Sequence, residues 1–225
     1  MKLSGFEAVF DPRPWNRAVN SDNCYDYAMG DFEVGRNVKS TPGDRAGFPA
    51  NTIKITSCKN LQQRILADNG KNVYKCKNPN TVCRRGYYKM MNFVTSDGSD
   101  FHFYKQVRGA KYKVKTGDTR ASLAKFFKVK PSVFPKTLVP GRVITFPCNL
   151  WAHKQGWGAP PLMTDARGKT IPDPRKASRN YPGLNYDRFC GAYCVRANLG
   201  VSGAQSRPGL RVMPRLMSRR NALRL

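Results

Sequence analysis

The chain has 225 residues, of which 40 are Lys or Arg and 14 are Asp or Glu, so its formal charge is +26. With 40% hydrophobic and 11% aromatic residues it can bury an ordinary core, which excludes an intrinsically disordered chain. No run approaches the roughly 20 apolar residues that a membrane-spanning helix needs, and residues 1–7 lack the apolar segment of a secretory signal. The charge predicts an anionic partner, which is nucleic acid, a phospholipid surface or an acidic protein.

The N-terminal region predicts an arm followed by a short helix. Two prolines favour extended geometry in the residues that precede them, so residues 1–20 are expected to form an extended arm. Three N-cap candidates at positions 21–23 precede Cys24, and the helix that they begin is expected to stop at Gly30. Cys24 would then lie in the first turn, where free N–H groups and the helix dipole favour a thiolate.

The middle of the chain changes from helical to strand patterning. Leu61–Leu66 predicts a second helix that ends near residues 69–70. Tyr87–Val94 and Asp100–Lys105 have the period of strands, and Asp97-Gly98 between them is a strong hairpin signal. This order of elements predicts helices packed on an antiparallel sheet.

Residues 111–148 form a unit of their own. A strand leads into the corner Gly117-Asp118-Thr119, which can cap a helix, and Val139–Pro147 predicts a turn and a closing strand. The helix is expected to have three apolar residues on one face: Leu123, Phe126 and Phe127. The unit resembles a LysM domain, the βααβ module that binds polymers of N-acetylglucosamine. The resemblance implies a glycan partner held near Gly117, Asp118 and Thr119; the alternative is a LysM-like plug that binds no sugar.

The position of this unit predicts the organisation of the rest. Because the two strands of a βααβ module pair, its ends are adjacent and it can replace the turn of a hairpin. The host strands would be Phe101–Gln106 and Leu150–Lys154. We therefore expect five segments along the chain: an N-terminal arm (1–20), a core in two parts (21–110 and 149–198), the LysM-like insert (111–148) and an Arg-rich tail (199–225).

The chain contains seven cysteines: Cys24, Cys58, Cys76, Cys83, Cys148, Cys190 and Cys194. Two interpretations remain open. Either the chain has three disulfides and a free Cys24, or all seven cysteines are reduced and buried. On a strand, Cys190 and Cys194 would share one face about 13 Å apart, too far to be bridged to each other. With two histidines and no CxxC pair, no structural metal site is expected, and no cofactor.

Three residues form a candidate catalytic group. The two histidines of the chain, His102 and His153, lie on the host strands and become neighbours once the insert is folded out. His102 alternates with Phe101 and Phe103, so it faces away from their side of the sheet. A thiolate, an imidazole that passes the proton and a group that orients this imidazole are what cysteine acyl-transfer chemistry requires. The ordinary alternative is a small buried cysteine and two core histidines.

This order of groups resembles the NlpC-type papain-like peptidases, and the flanking residues resemble a group of uncharacterised proteins from phages and large DNA viruses. The resemblance rests on five segments: Asn23–Ala28, Pro42–Asp44, Asp100–Tyr104, Trp151–Lys154 and Asp187–Gly191. It implies an α+β fold, a papain-like (NlpC-type) helix and antiparallel sheet core with the βααβ LysM-like module inserted. By it, Cys24 would be the nucleophile, His102 the general base and acid, and His153 the orienting residue.

Further residues are expected around this group. An oxyanion hole would use the Cys24 backbone N–H and a second donor near Arg17–Asp22. Four aromatic residues are candidates to line a substrate cleft, with core packing as the alternative: Trp15, Tyr25, Trp151 and Trp157.

Three functional hypotheses follow. The first is a cysteine hydrolase of peptide or amide bonds, plausibly in peptidoglycan or other cell-wall material, within a virus particle. The second is a structural capsid or virion component on an inactive papain-like scaffold, with the Arg-rich tail and the N-terminal arm binding neighbouring subunits. The tail supports such contacts because residues 188–225 hold eight Arg and no Asp, Glu or Lys. The third, a nonspecific nucleic-acid binder, rests on charge alone.

Overall fold

The computed structural model describes residues 1–32, 34–35, 39–48 and 57–197. It has a mixed α+β fold in which short helices accompany one large, mainly antiparallel sheet. The α-helices are α1 (Cys24–Met29), α2 (Cys58–Asn69) and α3 (Arg120–Phe127). The strands are β1 (Ala8–Phe10), β2 (Val73–Lys75), β3 (Tyr87–Val94), β4 (Phe101–Lys113), β5 (Val143–Lys154), β6 (Pro161–Leu162), β7 (Asn180–Tyr181), β8 (Leu184–Asn185) and β9 (Arg188–Arg196).

The large sheet has the strand order β2-β9-β3-β4-β5-β6, and β1 adds a short parallel pairing to β4. The hairpin of β3 and β4 turns at the predicted position, where Gly98 has a φ of 71° that glycine adopts without strain. Strands β4 and β5 pair from Tyr104 with His153 to Lys113 with Val143. The host strands of the insert are therefore neighbours, as expected.

The two faces of the sheet carry separate apolar clusters because successive residues of β3 and β4 point to opposite sides. The helix-side cluster packs α1 and α2 on the sheet and consists of Cys24, Tyr25, Ala28, Met29, Leu61, Ile65, Val73, Tyr88, Met90, Val94, Phe101, Phe103, Tyr193 and Val195. The opposite-side cluster consists of Cys76, Cys83, Tyr87, Met91, Phe93, Tyr104, Trp151, Ile171, Tyr186, Ala192 and Cys194. The sheet is thus covered on both faces.

The predicted helices around Cys24 and Leu61 are confirmed. Helix α1 begins at Cys24 and ends before Gly30, and α2 ends at Asn69. The extended arm is wrong in part, because residues 14–18 form a 3₁₀ turn that buries Trp15. Residues 8–10 are strand β1, which pairs with β4 of the same chain. The N-terminal segment therefore packs on its own sheet.

The expected insert, residues 111–148, is a continuation of the host sheet. Strands β4 and β5 run without a break from the host into the insert, and the second helix is reduced to a 3₁₀ turn at Pro131–Val133. The expected apolar face of α3 is corrected at one position: Leu123 and Phe127 are buried, whereas Phe126 is 45% exposed.

The insert shares its core with the N-terminal segment. This module cluster consists of Phe10, Trp15, Tyr27, Val107, Ala110, Val114, Leu123, Ala124, Phe127, Phe134, Ile144, Phe146, Cys148, Leu150, Ala152 and Met163. Residues from β1, the first 3₁₀ turn and α1 thus pack against residues of the insert. The insert is therefore not a self-contained plug.

Two disulfides are present, Cys58–Cys190 and Cys83–Cys194, and neither of the two open readings of the cysteines is correct. The expectation that Cys190 and Cys194 share a face is also wrong. A bulge in β9 pairs Gly191 with Asn92 and Phe189 with Phe93, which leaves Cys190 unpaired. The extra residue reverses the alternation, so the two cysteines point to opposite faces.

Within the described residues, no helix has both the length and the apolar character required to cross a membrane.

Candidate active site

The site begins at the N-terminus of α1, which a capping box fixes. The Asn23 side chain accepts hydrogen bonds from the N–H groups of Tyr25 and Asp26, and the Asp26 carboxylate accepts one from the Asn23 N–H. The Cys24 N–H has no hydrogen-bond acceptor among the described residues. A donor that the helix leaves unused is thus adjacent to the Cys24 side chain.

The Cys24 sulfur is a free thiol next to the backbone of His102. Its Sγ lies 3.7 Å from the carbonyl oxygen of Phe101, and the N–H of Phe103 also reaches it. These two peptide groups flank His102. Because the pairing of β5 with β4 ends at Tyr104, the sulfur meets a stretch of β4 that β5 does not cover.

Burial controls the protonation of this thiol. Desolvation raises the pKa of Cys24 to about 12, and the charge of Asp100 acts in the same direction, while Lys39 and the Phe103 N–H lower it. The expectation that the helix N-terminus holds a thiolate is therefore wrong for this state. The thiol is neutral at pH 7 because the loss of water outweighs the helix dipole.

The two imidazoles are hydrogen-bonded to each other. Nε2 of His102 lies 2.8 Å from Nδ1 of His153, and Nε2 of His153 lies 2.9 Å from the carbonyl oxygen of Thr164. A carbonyl only accepts, so His153 donates from Nε2 and, when neutral, accepts at Nδ1 from the Nε2–H of His102. This chain leaves Nδ1 of His102 as an unprotonated base with no hydrogen bond among the described residues.

Both rings are held in the neutral form. Desolvation lowers the pKa of His153 to about 4, and desolvation and the neighbouring His153 lower the pKa of His102 well below its usual value. Three tyrosines surround the pair: Tyr104, Tyr181 and Tyr186. Tyr186 stacks on His102 with ring centroids 4.9 Å apart, and its O–H donates to Asp100 over 2.9 Å.

The structure brings two of the three predicted catalytic residues into contact. His102 and His153 lie on the side of the opposite-side cluster, whereas Cys24 packs with Phe101 and Phe103 in the helix-side cluster. No hydrogen bond joins the Cys24 sulfur to either ring. The sulfur therefore contacts the backbone groups that flank His102 and makes no hydrogen bond with either ring.

The predicted aromatic cleft is not assembled. Trp15, Tyr25 and Trp151 are buried in three different clusters, and Trp157 is 42% exposed. Tyr25 donates its O–H to Asp68 in the core. Trp15, Tyr25 and Trp151 are therefore core residues, which was the alternative given for them.

The corner of the insert serves the local fold. Asp118 accepts hydrogen bonds from the Tyr112 O–H and the Lys115 N–H, and Thr119 caps α3. Gly117 has a φ of 85°, which permits the turn. The polar groups of this corner are thus used within the insert.

Three groups of the site were not identified from sequence. Asp100 is the first residue of the segment Asp100–Tyr104, and Tyr186 directly precedes the segment that begins at Asp187, so closeness in sequence to these segments was the available signal. Thr164 contributes a backbone carbonyl, and a backbone group has no sequence signature.

Among the described residues, a close group of residue types that can ligate a metal ion occurs at Cys76, Cys83 and Cys194, but Cys83 and Cys194 are joined as a disulfide and offer no thiolate in this state. Comparison of the chain with protein-family models, with curated proteins and with solved structures finds no match. Function is therefore argued from the residues themselves.

Proposed function

We propose that the protein is a cysteine hydrolase of peptide or other amide bonds, with Cys24 as nucleophile, His102 as base and His153 as the orienting residue. The observation that carries this proposal is the hydrogen-bond chain from Thr164 through His153 to His102. It fixes the tautomer of His102 so that Nδ1 is free to accept a proton. A histidine that only fills the core does not require a second imidazole hydrogen-bonded to its ring.

The chemistry follows from these positions. The Cys24 sulfur attacks the carbonyl carbon of the amide while its proton passes to Nδ1 of His102. The oxyanion that forms is stabilised by the free Cys24 N–H. His102 then gives its proton to the departing amine, and water cleaves the thioester with His102 again as base. His153 accepts from Nε2–H of His102 throughout and so stabilises the transient imidazolium.

The state described here is a resting state. Before attack the thiol must leave the Phe101 carbonyl and reach Nδ1 of His102 around the edge of β4. Both groups are neutral at rest, so the proton moves only when substrate replaces the contacts of the sulfur.

The substrate and setting that we propose are cell-wall peptides and a virus particle. The LysM-like insert would add affinity for N-acetylglucosamine polymers, and residues 199–225 would bind neighbouring particle proteins. The composition of the tail region supports the binding of neighbouring proteins, because residues 188–225 carry eight Arg and no acidic residue. The tail itself lies outside the described residues.

A pair of matched cysteines tests the proposal. Cys24 and Cys148 are free thiols with 5% and 6% exposure, and burial raises the pKa of each to about 12. Cys24 lies against the backbone next to His102, whereas Cys148 packs in the module cluster. We expect iodoacetamide at pH 7.5 to alkylate Cys24 at least tenfold faster, as measured by peptide mass spectrometry. His102→Gln should bring Cys24 to the rate of Cys148.

Hydrolysis is measured in parallel with peptidoglycan fragments and short peptides. Cys24→Ala should abolish turnover, whereas Cys148→Ala should leave it within twofold. Equal alkylation rates for the two cysteines in the unsubstituted protein would remove the enzyme proposal, and this comparison needs no variant to fold.

A structural role is the second candidate function. It is favoured by the lack of a hydrogen bond between the Cys24 thiol and either ring and by the burial of both rings, since His102 is 1% and His153 0% exposed. On this reading the group fills the core of a scaffold in a virus particle. The alkylation comparison decides between the two, because a scaffold gives Cys24 no kinetic advantage.

A further inference from the structure

Three sulfur atoms lie together on the side of the sheet opposite α1. Cys83 and Cys194 are joined as a disulfide, and the free thiol of Cys76 lies 3.3 Å from the Cys194 sulfur. All three sulfurs are within 4.8 Å of one another. Among the described residues, no third cysteine sulfur forms such a group with the other disulfide, Cys58–Cys190.

The backbone holds Cys76 in this place. Strand β2 pairs with β9 from Val73 to Lys75, and the Cys76 N–H then donates to the Ala192 carbonyl over 2.9 Å. The thiol is therefore fixed beside Cys194 by pairing that does not depend on the disulfide. Cys83, in contrast, belongs to the connection between β2 and β3 and is anchored to β9 through its sulfur.

A buried cation faces the same group. The Lys89 ammonium donates to the carbonyls of Pro79 and Thr81 in that connection. Its charge lowers the pKa of Cys76, although burial raises this pKa more. A nearby positive charge stabilises the thiolate on which thiol–disulfide exchange depends.

We propose that Cys76, Cys83 and Cys194 form a thiol–disulfide exchange site, in which the disulfide moves between Cys83–Cys194 and Cys76–Cys194. The Cys76 thiol loses its proton and its sulfur attacks the sulfur of Cys194. The Cys76–Cys194 bond forms as the Cys83–Cys194 bond breaks, and Cys83 leaves as a thiolate that takes up a proton. One disulfide and one thiol are present before and after, so no oxidant is required.

The exchange changes what the disulfide fastens. In the Cys83–Cys194 form it anchors the connection between β2 and β3 to the sheet. In the Cys76–Cys194 form it joins two strands that already pair, and residues 77–86 keep only non-covalent contacts, such as the hydrogen bonds from Lys89 and the contacts of Arg84 with the Tyr74 and Tyr87 rings. The site therefore controls how tightly the connection between β2 and β3 is held. The free thiol is Cys76 in the first form and Cys83 in the second.

Disulfide mapping of the unsubstituted protein tests this proposal directly. The protein is incubated at pH 6.5 or 8.5, quenched in acid, blocked with N-ethylmaleimide under denaturing conditions and digested. We expect both Cys83–Cys194 and Cys76–Cys194 peptides, with the label divided between Cys76 and Cys83. The two forms should reach their final ratio faster at pH 8.5, because the thiolate is the attacking species.

Two variants sharpen the test. Cys83→Ser should form a Cys76–Cys194 disulfide in place of the original one, whereas the control Cys148→Ser should leave the distribution unchanged. The proposal is overturned if only Cys83–Cys194 is found at both pH values after a day. It is also overturned if native mass spectrometry shows the three cysteines reduced around a bound zinc ion. Neither of these outcomes depends on whether a variant folds.

Discussion

Cys24, His102 and His153 are all buried, and burial shifts the pKa of the thiol and the pKa values of the imidazoles in opposite directions. It raises the pKa of the thiol to about 12 and lowers that of His153 to about 4, so all three groups are neutral at pH 7. The N-terminus of a helix favours the anionic form of a nearby side chain. Here desolvation is the larger effect, because α1 lies against β4 and β5 and excludes solvent from its first turn.

The buried imidazole of His153 makes stability depend on pH. Its folded pKa of about 4 lies below the unfolded value of 6.5, so between these values the unfolded chain binds a proton that the folded chain does not. Stability is complete above pH 6.5 and falls as the pH drops toward 4, by up to roughly 3 kcal/mol from this residue alone. Urea unfolding at pH 7.5, 6.5 and 5.5 measures the loss.

The comparison variant is His153→Gln, which removes the titrating group from the same position. Its free energy of unfolding should fall less between pH 7.5 and 5.5 than that of the unsubstituted protein. Carboxylates contribute little in this range because their unfolded pKa values lie below it. An identical decline in both proteins would show that His153 is not held neutral by the fold.

At the scale of elements, the continuity of β4 and β5 joins the insert to the host. Each strand belongs to the host at one end and to the insert at the other, and the module cluster includes Phe10 and Trp15 from the N-terminal segment. Such a core cannot be divided without exposing apolar surface on both parts. We infer that the insert and the host unfold together.

Two adjacent phenylalanines of α3 test this inference. Phe127 is buried and packs on Tyr112 and Phe146, while Phe126 is 45% exposed. Phe127→Ala should lower the free energy of unfolding by about 3–5 kcal/mol, and Phe126→Ala by less than about 1 kcal/mol.

Fluorescence of the host residue Trp151, measured in a background in which Trp15 and Trp157 are replaced by Phe, reports whether the loss reaches the whole molecule. We expect one transition, shifted for Phe127→Ala, by both fluorescence and circular dichroism. A separate early transition that leaves the fluorescence unchanged would mean that the insert unfolds on its own.

At the scale of the whole molecule, the two disulfides fasten distant parts of the chain to β9. Cys58–Cys190 attaches the N-terminus of α2 over a separation of 132 residues, and Cys83–Cys194 attaches the connection before β3. The two loops interleave, because Cys83 lies inside the loop that Cys58–Cys190 closes and Cys194 lies just outside it. Once Cys83–Cys194 has formed, the shortest covalent path from Cys58 to Cys190 runs from 58 to 83, through this disulfide, and from 194 back to 190. The additional loop closed by Cys58–Cys190 is therefore short, which reduces its entropic contribution.

The double variant Cys58→Ser with Cys190→Ser should lower the free energy of unfolding by roughly 2–4 kcal/mol. Thermal and urea unfolding without reductant measure it, with Cys148→Ser as the control for burying a hydroxyl in place of a thiol. A loss no larger than that of the control would mean that this disulfide adds no stability.

Much of the local structure followed from sequence because its causes lie within a few residues. The cap before Cys24, the stop at Gly30 and the hairpin at Asp97-Gly98 each depend on the conformation of one or two residues. The pairing of the host strands also followed, since a module with adjacent ends requires it. The paired host strands place His102 beside His153, so the proximity of the two histidines could also be predicted from the sequence.

What only the tertiary structure decided depends on contacts between distant segments. The bulge at Cys190 arises from pairing with β3 and reverses a face that alternation had assigned. The disulfide partners, the Thr164 carbonyl behind His153 and the three-sulfur group likewise bring together residues far apart in sequence. Whether Cys24 carries a charge depends on how much water the fold leaves around it. Register and solvent exclusion are properties of the assembled sheet, so no local pattern encodes them.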